Sequence, residues 1–532
     1  MPKKRIFIIL SAVMLLYVYG VYSVFVPACN QEYAMAVAAQ SNYSVPLAKS
    51  RGTIYDCNLK PLTNQEENIL AVVMPCPEGV LECKKNLKET PDGEAILKNG
   101  KPFSFFVAEK SEAKFIDFFP IPKRYGEECL CPNLLGYVDG SGSGVTGVER
   151  AFDEILAKPT GELTLHYTAD ALGRIIVGEE RKYENTMKGN FSGVALTIDS
   201  EIQRSAEKAA STLKKGAVVV VSVPDCKVKA LVSKPDFNPN QLDLALQGAD
   251  APLINRAFTG FAPGSVFKLV ISAAALNSGV NSKATYHCTG NILVDDMAVT
   301  CYDGKSHGDV NLHTALQKSC NCYFIDLANR LAPQTLYQTA LNLGLGTETY
   351  LNENLVSSAG NIPTVAELDS PRSIANFSIG QGDVLVTPLQ IAALVNTIAA
   401  EGKYTSPKLY EGEVSDEKEL LPSPANTGSI SAMEALVAFR LKGYMESTSK
   451  YGTAQEGAPD GITSGAKTGT AQTGVYAGSE ELLNYWYAGY IESAGKGSYA
   501  IVVLSEGDFS GKNPTPKIYK TIAEAIHKTC SS

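Results

Sequence analysis

A hydroxyl becomes a nucleophile near neutral pH when a base lies within hydrogen-bond reach, and a lysine can be that base if its surroundings strip its charge. The chain offers this pairing, as Ser-x-x-Lys, at eight places, with Ser111, Ser205, Ser211, Ser265, Ser415, Ser447, Ser464 and Ser493 as the serines. Spacing alone therefore selects nothing. Ser205 and Ser211 lie on an ordinary amphipathic pattern, Ser111, Ser415 and Ser447 lie in polar stretches, and Ser493 sits where a strand runs into a turn. Ser265 differs. In "FAPGSVFKLV" (261–270) Pro263-Gly264 makes a turn before it, and the apolar, helix-forming "LVISAAAL" follows until Asn277-Ser278-Gly279. These residues predict a buried helix that opens at Ser265 and brings Lys268 to the same face.

In that setting the lysine charge is opposed twice, by the helix N-terminus and by desolvation, so a neutral amine is expected beside the hydroxyl. Backbone N–H groups of the same turn can face a developing oxyanion. A capping serine beside a surface lysine is the alternative, and two further motifs decide against it. "KSCNCYF" supplies Ser319-Cys320-Asn321, and "SGAKTGTAQ" supplies Lys467-Thr468-Gly469-Thr470. On a strand Lys467 and Gly469 share one side, Thr468 and Thr470 the other, and Gly469 leaves room for a ligand to lie against the strand. Three such motifs in this order form the set used by penicillin-binding proteins and class A β-lactamases.

The residues that must position these groups read as an α+β fold. "GAVVVVSVPDCKVKALVSKP" (216–235) is a hairpin, and "GAKTGTAQT", "YWYAGYIES" and "YAIVVLSEG" are strands near the other end. A helix starts at Asp199 or Ser200, and "YKTIAEAIHKT" (519–529) closes the chain as another. Together they predict one antiparallel sheet flanked by helices, with an all-helical insertion from about 240 to 450 and an exposed excursion at 415–429. Upstream, "ILAVVM" (69–74) and "GELTLHYTAD" (161–170) are strands of an irregular, β-rich, membrane-proximal module over 27–195, ahead of a catalytic domain over 196–532.

Residues 1–26 read as a cytoplasmic stub and a membrane anchor. Ile6 to Val26 holds 21 residues without a charge, about 31 Å of helix, and so spans a bilayer core. Lys3, Lys4 and Arg5 place the N-terminus in the cytoplasm and the rest outside. A cleaved signal, or lipid attachment at Cys29, exports the chain equally. With 19% charged and 45% apolar residues the chain folds around a core, and a net charge of −9 argues against a nucleic-acid partner. Its twelve cysteines suit an exported protein but show no strong zinc spacing. Cys288 and Cys301 are the best candidate disulfide, with buried free thiols as the alternative.

Along nearly its whole length the chain resembles the class B penicillin-binding proteins, monofunctional peptidoglycan D,D-transpeptidases. Beyond the three motifs, the resemblance lies in "RGTIYD" (51–56), "GVTGVERAFDEIL" (144–156), "LTIDSEIQRSAEKA" (196–209), "NPNQLD" (238–243), "SHGDVNLHTALQKSCNCYF" (306–324) and "SIGQGDVLVTPLQIAA" (378–393). It implies a serine β-lactamase/transpeptidase-like catalytic domain on a pedestal or dimerisation-type module. It also implies that Ser265 attacks the carbonyl between two terminal D-alanines of a stem peptide, with Lys268 as general base. Ser319 would relay a proton to the leaving D-alanine, Asn321 would hold the substrate amide, and Lys467 would support the electrostatics around Ser319. Thr468, Gly469 and Thr470 would bind the substrate, the oxyanion lying between the N–H groups of Ser265 and Thr470. No metal or cofactor is implied. β-Lactams would be inhibitors, and a membrane glycan polymerase is the implied partner, since no glycosyltransferase segment is visible.

One departure stands after Asp56, where the family usually has an arginine and, two residues on, a glycine; here the residues are Cys57, Asn58 and Leu59. Rival readings use the same residues. A D,D-carboxypeptidase would pass the acyl group to water, and a membrane β-lactam sensor would keep it. A β-lactamase would need a deacylating carboxylate, for which "ETYLN" (348–352) offers Glu348.

Overall fold

The computed structural model describes residues 2–29, 42–86, 100–158, 161–170, 175–176, 179, 181–187, 191–423, 428–493, 495 and 497–529. Two compact units emerge, interleaved along the chain. The smaller takes Met1–Arg51, Gln65–Arg124 and Pro159–Asn190. It begins with the helix Pro2–Cys29, exposed along its apolar length and long enough to cross a bilayer. Both strands read from sequence are present, in two antiparallel sheets. Glu66–Val73 lies between Phe103–Val107 and Ile116–Lys123, and Glu162–Thr168 between Asn42–Lys49 and Lys182–Asn185. Leu70, Val72, Phe119, Leu163, Leu165 and Tyr167 make a common core.

The larger unit holds Gly52–Asn64, Tyr125–Lys158 and Phe191–Ser532. The first two segments, grouped by sequence with the membrane-proximal module, pack here. At its centre is a five-stranded antiparallel sheet of β1 (Gly216–Val223), β2 (Val228–Lys234), β3 (Thr463–Ala477), β4 (Glu480–Ser493) and β5 (Gly497–Asp508), in the order β2-β1-β5-β4-β3. The run "AVVVV" in β1 is apolar without alternation because both sheet faces are covered. Ala217, Val219 and Val221 point into one core and Val218 and Val220 into the other.

On the second face lie α1 (Ser200–Ala209) and the C-terminal helix Thr515–Thr529, which contribute Ile202, Ala206, Ile518 and Ile522 to that core. Asp199 is the N-cap of α1, its carboxylate accepting the N–H groups of Glu201 and Ile202. The first face is covered by the insertion, whose central helix α2 (Lys268–Asn277) is buried from Lys268 through Leu276. The insertion is built on helices, with short two-stranded ribbons attached. In the excursion at 415–429, Leu420–Pro422 folds back as an exposed strand on Tyr410–Val414, while 424–427 lie outside the described residues.

From Gly52 onward "RGTIYD" serves this unit structurally. Strand Thr53–Tyr55 pairs in parallel with Gly193–Leu196. Wholly buried Asp56 accepts the N–H groups of Asn58 and Lys60 at 2.8 Å and the Ser200 hydroxyl at 2.7 Å, fixing the start of α1. Leu59 stands at φ 56°, the left-handed region that favours glycine. Asp56→Ala removes the acceptor of the buried Ser200 hydroxyl and of two half-buried N–H groups, so a loss of about 3 kcal/mol is expected, read as a lower denaturant midpoint at unchanged slope.

Candidate active site

Ser265 lies in a single tight turn, Gly264–Phe267, that runs directly into α2, so Lys268 opens the helix proper. Both flanks of the turn are pinned by close backbone approaches. Gly264 has φ 53°, and a Cβ there would stand 2.3 Å from the carbonyl oxygen of Thr470 on β3. A Cβ on Gly380, from the "SIGQG" segment, would stand 2.3 Å from the carbonyl oxygen of Gly264. The Gly264 N–H donates to Gly380 O at 2.9 Å, Trp486 Nε1 on β4 donates to Ala262 O at 2.9 Å, and Phe267 packs edge-on against Phe377. Gly469 belongs to the same contact. The room that sequence reserves there for a ligand is filled by Pro263 O, 2.6 Å from a would-be Cβ, and by Val266, because the Ser265 turn itself needs it.

The second motif connects α3 (Leu312–Gln317) to α4 (Asn321–Asn329). Ser319 sits there at φ 56°, an unfavourable conformation for serine that the two helices hold. Lys268 Nζ lies 3.0 Å from Ser265 Oγ, 2.8 Å from Ser319 O, 3.3 Å from Ser319 Oγ and 2.6 Å from Asn321 Oδ1. Lys467 Nζ on β3 lies 3.0 Å from the same Ser319 Oγ and donates to Thr468 O at 2.7 Å. Ser265, Lys268, Ser319, Asn321 and Lys467 thus form one connected cluster. Along β3 the expected alternation holds, with Lys467 and Gly469 buried and Thr468 and Thr470 half-exposed.

Both amines are fully buried. Desolvation pulls Lys268 down from 10.5 to about 8, against the opposing pull of the Cys320, Cys301 and Cys322 thiols. Lys467 is held well below the ordinary lysine range, first by burial and then by the neighbouring Lys268 charge. Asn321 and Ser319 O settle the orientation of the Lys268 amine. Asn321 Nδ2 donates to Thr300 O at 2.9 Å, so its oxygen faces Lys268, and neither that oxygen nor Ser319 O can donate. A neutral amine has two N–H groups. With both engaged there, its lone pair is left for the Ser265 hydroxyl.

Several residues of this site were invisible as such in sequence. Thr300 fixes Asn321, and Thr453 meets Thr468 hydroxyl to hydroxyl at 3.0 Å. Glu348 is exposed beside the ribbon Thr349–Asn352/Leu355–Ser357, where its carboxylate accepts from the Tyr350 hydroxyl. Among the described residues it has no hydrogen bond to Ser265, Lys268 or Ser319.

The candidate disulfide is corrected. Cys288 and Cys301 Sγ are unbonded at 3.8 Å, and every cysteine among the described residues is free. The two belong to a larger group that includes Cys320 and Cys322 of the second motif and His307. The signal was Cys288, Cys301, His307 and Cys320, hidden because their spacing matches no common zinc pattern.

Comparison with known proteins identifies the family. Residues 216–524 match the family of the penicillin binding protein transpeptidase domain, over more than half of the chain. The penicillin-binding protein PbpB of Mycolicibacterium smegmatis is 30% identical over 422 residues, 74% of this chain and 63% of that one. The peptidoglycan D,D-transpeptidase PbpA of the same organism is 28% identical over 461 residues, 81% of this chain and 89% of that one. The chain therefore spans less than two thirds of the first relative and most of the second. In a structure of a peptidoglycan synthase complex that couples polymerisation and crosslinking, one chain shares the fold with a TM-score of 0.74 at 22% identity, 98% of each chain being covered. The chain belongs to the penicillin-binding protein transpeptidase family, as a member of its class B branch.

Proposed function

We propose that the chain is a peptidoglycan D,D-transpeptidase acting through an acyl-enzyme on Ser265. The observation that carries this reading is the buried Lys268 amine, 3.0 Å from Ser265 Oγ, with two partners that can only accept. In the first half-reaction Ser265 Oγ bonds to the carbonyl carbon between two D-alanines and its proton passes to Lys268. The C–N bond then breaks, and the terminal D-alanine leaves with a proton returned from Lys268 through Ser319 Oγ, which Lys467 also touches. In the second half-reaction an amine of a neighbouring stem peptide attacks, its proton returns to Ser265 Oγ, and the C–O bond breaks. The backbone N–H groups of Ser265 and Thr470 serve the oxyanion, a role supported by the close approach of Gly264 to Thr470. Asn321 keeps a second N–H for a substrate carbonyl, and Thr468 and Thr470 offer hydroxyls to the substrate carboxylate.

Penicillins fit the same chemistry as acylating inhibitors of Ser265. Helix Pro2–Cys29, whose first turns carry Lys3, Lys4 and Arg5, supports a single-pass anchor with the catalytic unit outside the bacterial membrane. The synthase complex among the fold's relatives supports a glycan polymerase as partner.

A stem peptide ending in D-Ala-D-Ala, given to the full-length chain in detergent with a D-amino acid as acceptor, tests the reading by mass spectrometry. Peptide carrying the acceptor in place of the terminal D-alanine should exceed the hydrolysed peptide. Hydrolysis alone would make the chain a carboxypeptidase, and a stable adduct without turnover a sensor.

A further inference from the structure

We propose that Cys288, Cys301, His307 and Cys320 bind one zinc ion beside the second catalytic motif. The four side chains offer three sulfurs and one ring nitrogen, all within 4.8 Å of one another. Cys288 to Cys301 and Cys301 to Cys320 are 3.8 Å sulfur to sulfur, and Cys288 Sγ to His307 Nδ1 is 3.6 Å. In a zinc tetrahedron with bonds of about 2.3 Å to sulfur and about 2.0–2.1 Å to nitrogen, the S–S edge is about 3.8 Å and the S–N edge about 3.6 Å. These three separations match those edges.

Two other states of the cluster explain less. A disulfide closes to about 2.05 Å and joins only two sulfurs, leaving the rest of the convergence without a cause. Thiols buried for their apolar character alone need no imidazole nitrogen aimed at them. Separate stretches of backbone deliver the four groups. Cys288 ends the short strand Tyr286–Cys288, which pairs with Gly308–Val310, so His307 arrives beside it. Cys301 donates its N–H to Gly290 O, and its carbonyl accepts the N–H of Gly304. Cys320 caps α4, its sulfur accepting the Tyr323 N–H. Three thiolates with an imidazole are a usual structural set for zinc, softer than calcium or magnesium accept. Cys322 lies closer to Cys301, at 3.4 Å, than a tetrahedral edge allows, and acts as a hydrogen-bond partner of that sulfur.

Such an ion would do mechanical work for the site. Cys320 stands between Ser319 and Asn321, and Asn321 is bonded to Thr300, the neighbour of Cys301. Zinc would tie the segment 300–307 to the second motif and hold Ser319 in its left-handed conformation. It is a positioning device, outside the proton path.

Elemental analysis of the full-length chain, purified in detergent without chelator, tests the assignment independently of any enzymatic activity. About one zinc per chain is expected, kept in Cys322→Ala and falling below about a tenth in Cys301→Ser and Cys320→Ser. Cobalt(II) exchanged into the wild-type chain should show tetrahedral d–d bands and thiolate-to-cobalt charge transfer, which needs no variant to fold. Three results would overturn the proposal: no bound metal after exposure to zinc sulfate, a disulfide within the cluster in a non-reducing peptide map, or a different metal at one per chain.

Discussion

Lys268→Met is expected to slow acylation of Ser265 by penicillin about 10³-fold, within the range a positioned general base contributes. The methionine side chain fills nearly the same volume, so the loss is of the base and not of the fold. With its pKa lowered to about 8, Lys268 is free base in about one molecule in ten at pH 7, against about one in three thousand for an ordinary lysine. The wild-type acylation rate should therefore rise about tenfold per pH unit below 8 and flatten above it, while the variant lacks that limb. Stability carries the matching sign. A lysine whose pKa is depressed on folding costs stability below its folded pKa, and the cost fades as pH rises from about 8 toward 10.5. A shift of this size is worth about 3 kcal/mol, offset in the variant by Ser319 O and Asn321 Oδ1 losing their donor. Stopped-flow acylation with a chromogenic β-lactam across pH 6–10, with urea melts at the two ends, reads both effects. An unchanged limb in Lys268→Met would move the base elsewhere.

Gly264→Ala should be nearly as damaging although it removes no chemical group. The new Cβ would stand 2.3 Å from Thr470 O and 2.8 Å from its carbon, both backbone atoms of β3. Its backbone would also be held at φ 53°, which costs an L-residue about 1–2 kcal/mol. The turn must then move off the strand, separating Ser265 N–H from Thr470 N–H. A shift of about 1 Å at a catalytic centre costs about 10²-fold in rate, and acylation should fall by at least that much. Gly443→Ala is the control. It lies exposed within the helix Ala435–Tyr451 with nothing within 4 Å of its would-be Cβ, and should instead stabilise by about 1 kcal/mol. Equal acylation rates in Gly264→Ala and wild type would show that the turn tolerates displacement.

The cluster around Ser265 was legible because its groups are local in each motif. Ser265 and Lys268 meet across one turn, and Lys467 lies on the buried side of an alternating strand. The strands themselves were readable from β-branched runs, since burial on both faces leaves that composition little choice. What sequence could not show depends on approaches between distant segments. Gly469 reads as space for a ligand until Pro263 O is seen to fill it. The order β2-β1-β5-β4-β3 joins strands hundreds of residues apart, which no local pattern encodes. The thiol cluster is the largest omission, because Cys288, Cys301, His307 and Cys320 come from different elements whose convergence only folding reveals. The low pKa of Lys268 was expected from helix position and burial together, and burial proves the dominant cause.

The most direct test follows the intact mass of the full-length chain after mixing with penicillin, wild type beside Ser265→Ala. The expected result is a long-lived adduct of one whole penicillin on the wild type alone, mapped by proteolysis to the peptide containing Ser265. An adduct on another residue, or none on a chain that melts cooperatively, would contradict the assembled site. Rapid loss of the adduct with release of opened drug would contradict the transpeptidase reading and bring Glu348 forward as the deacylating group.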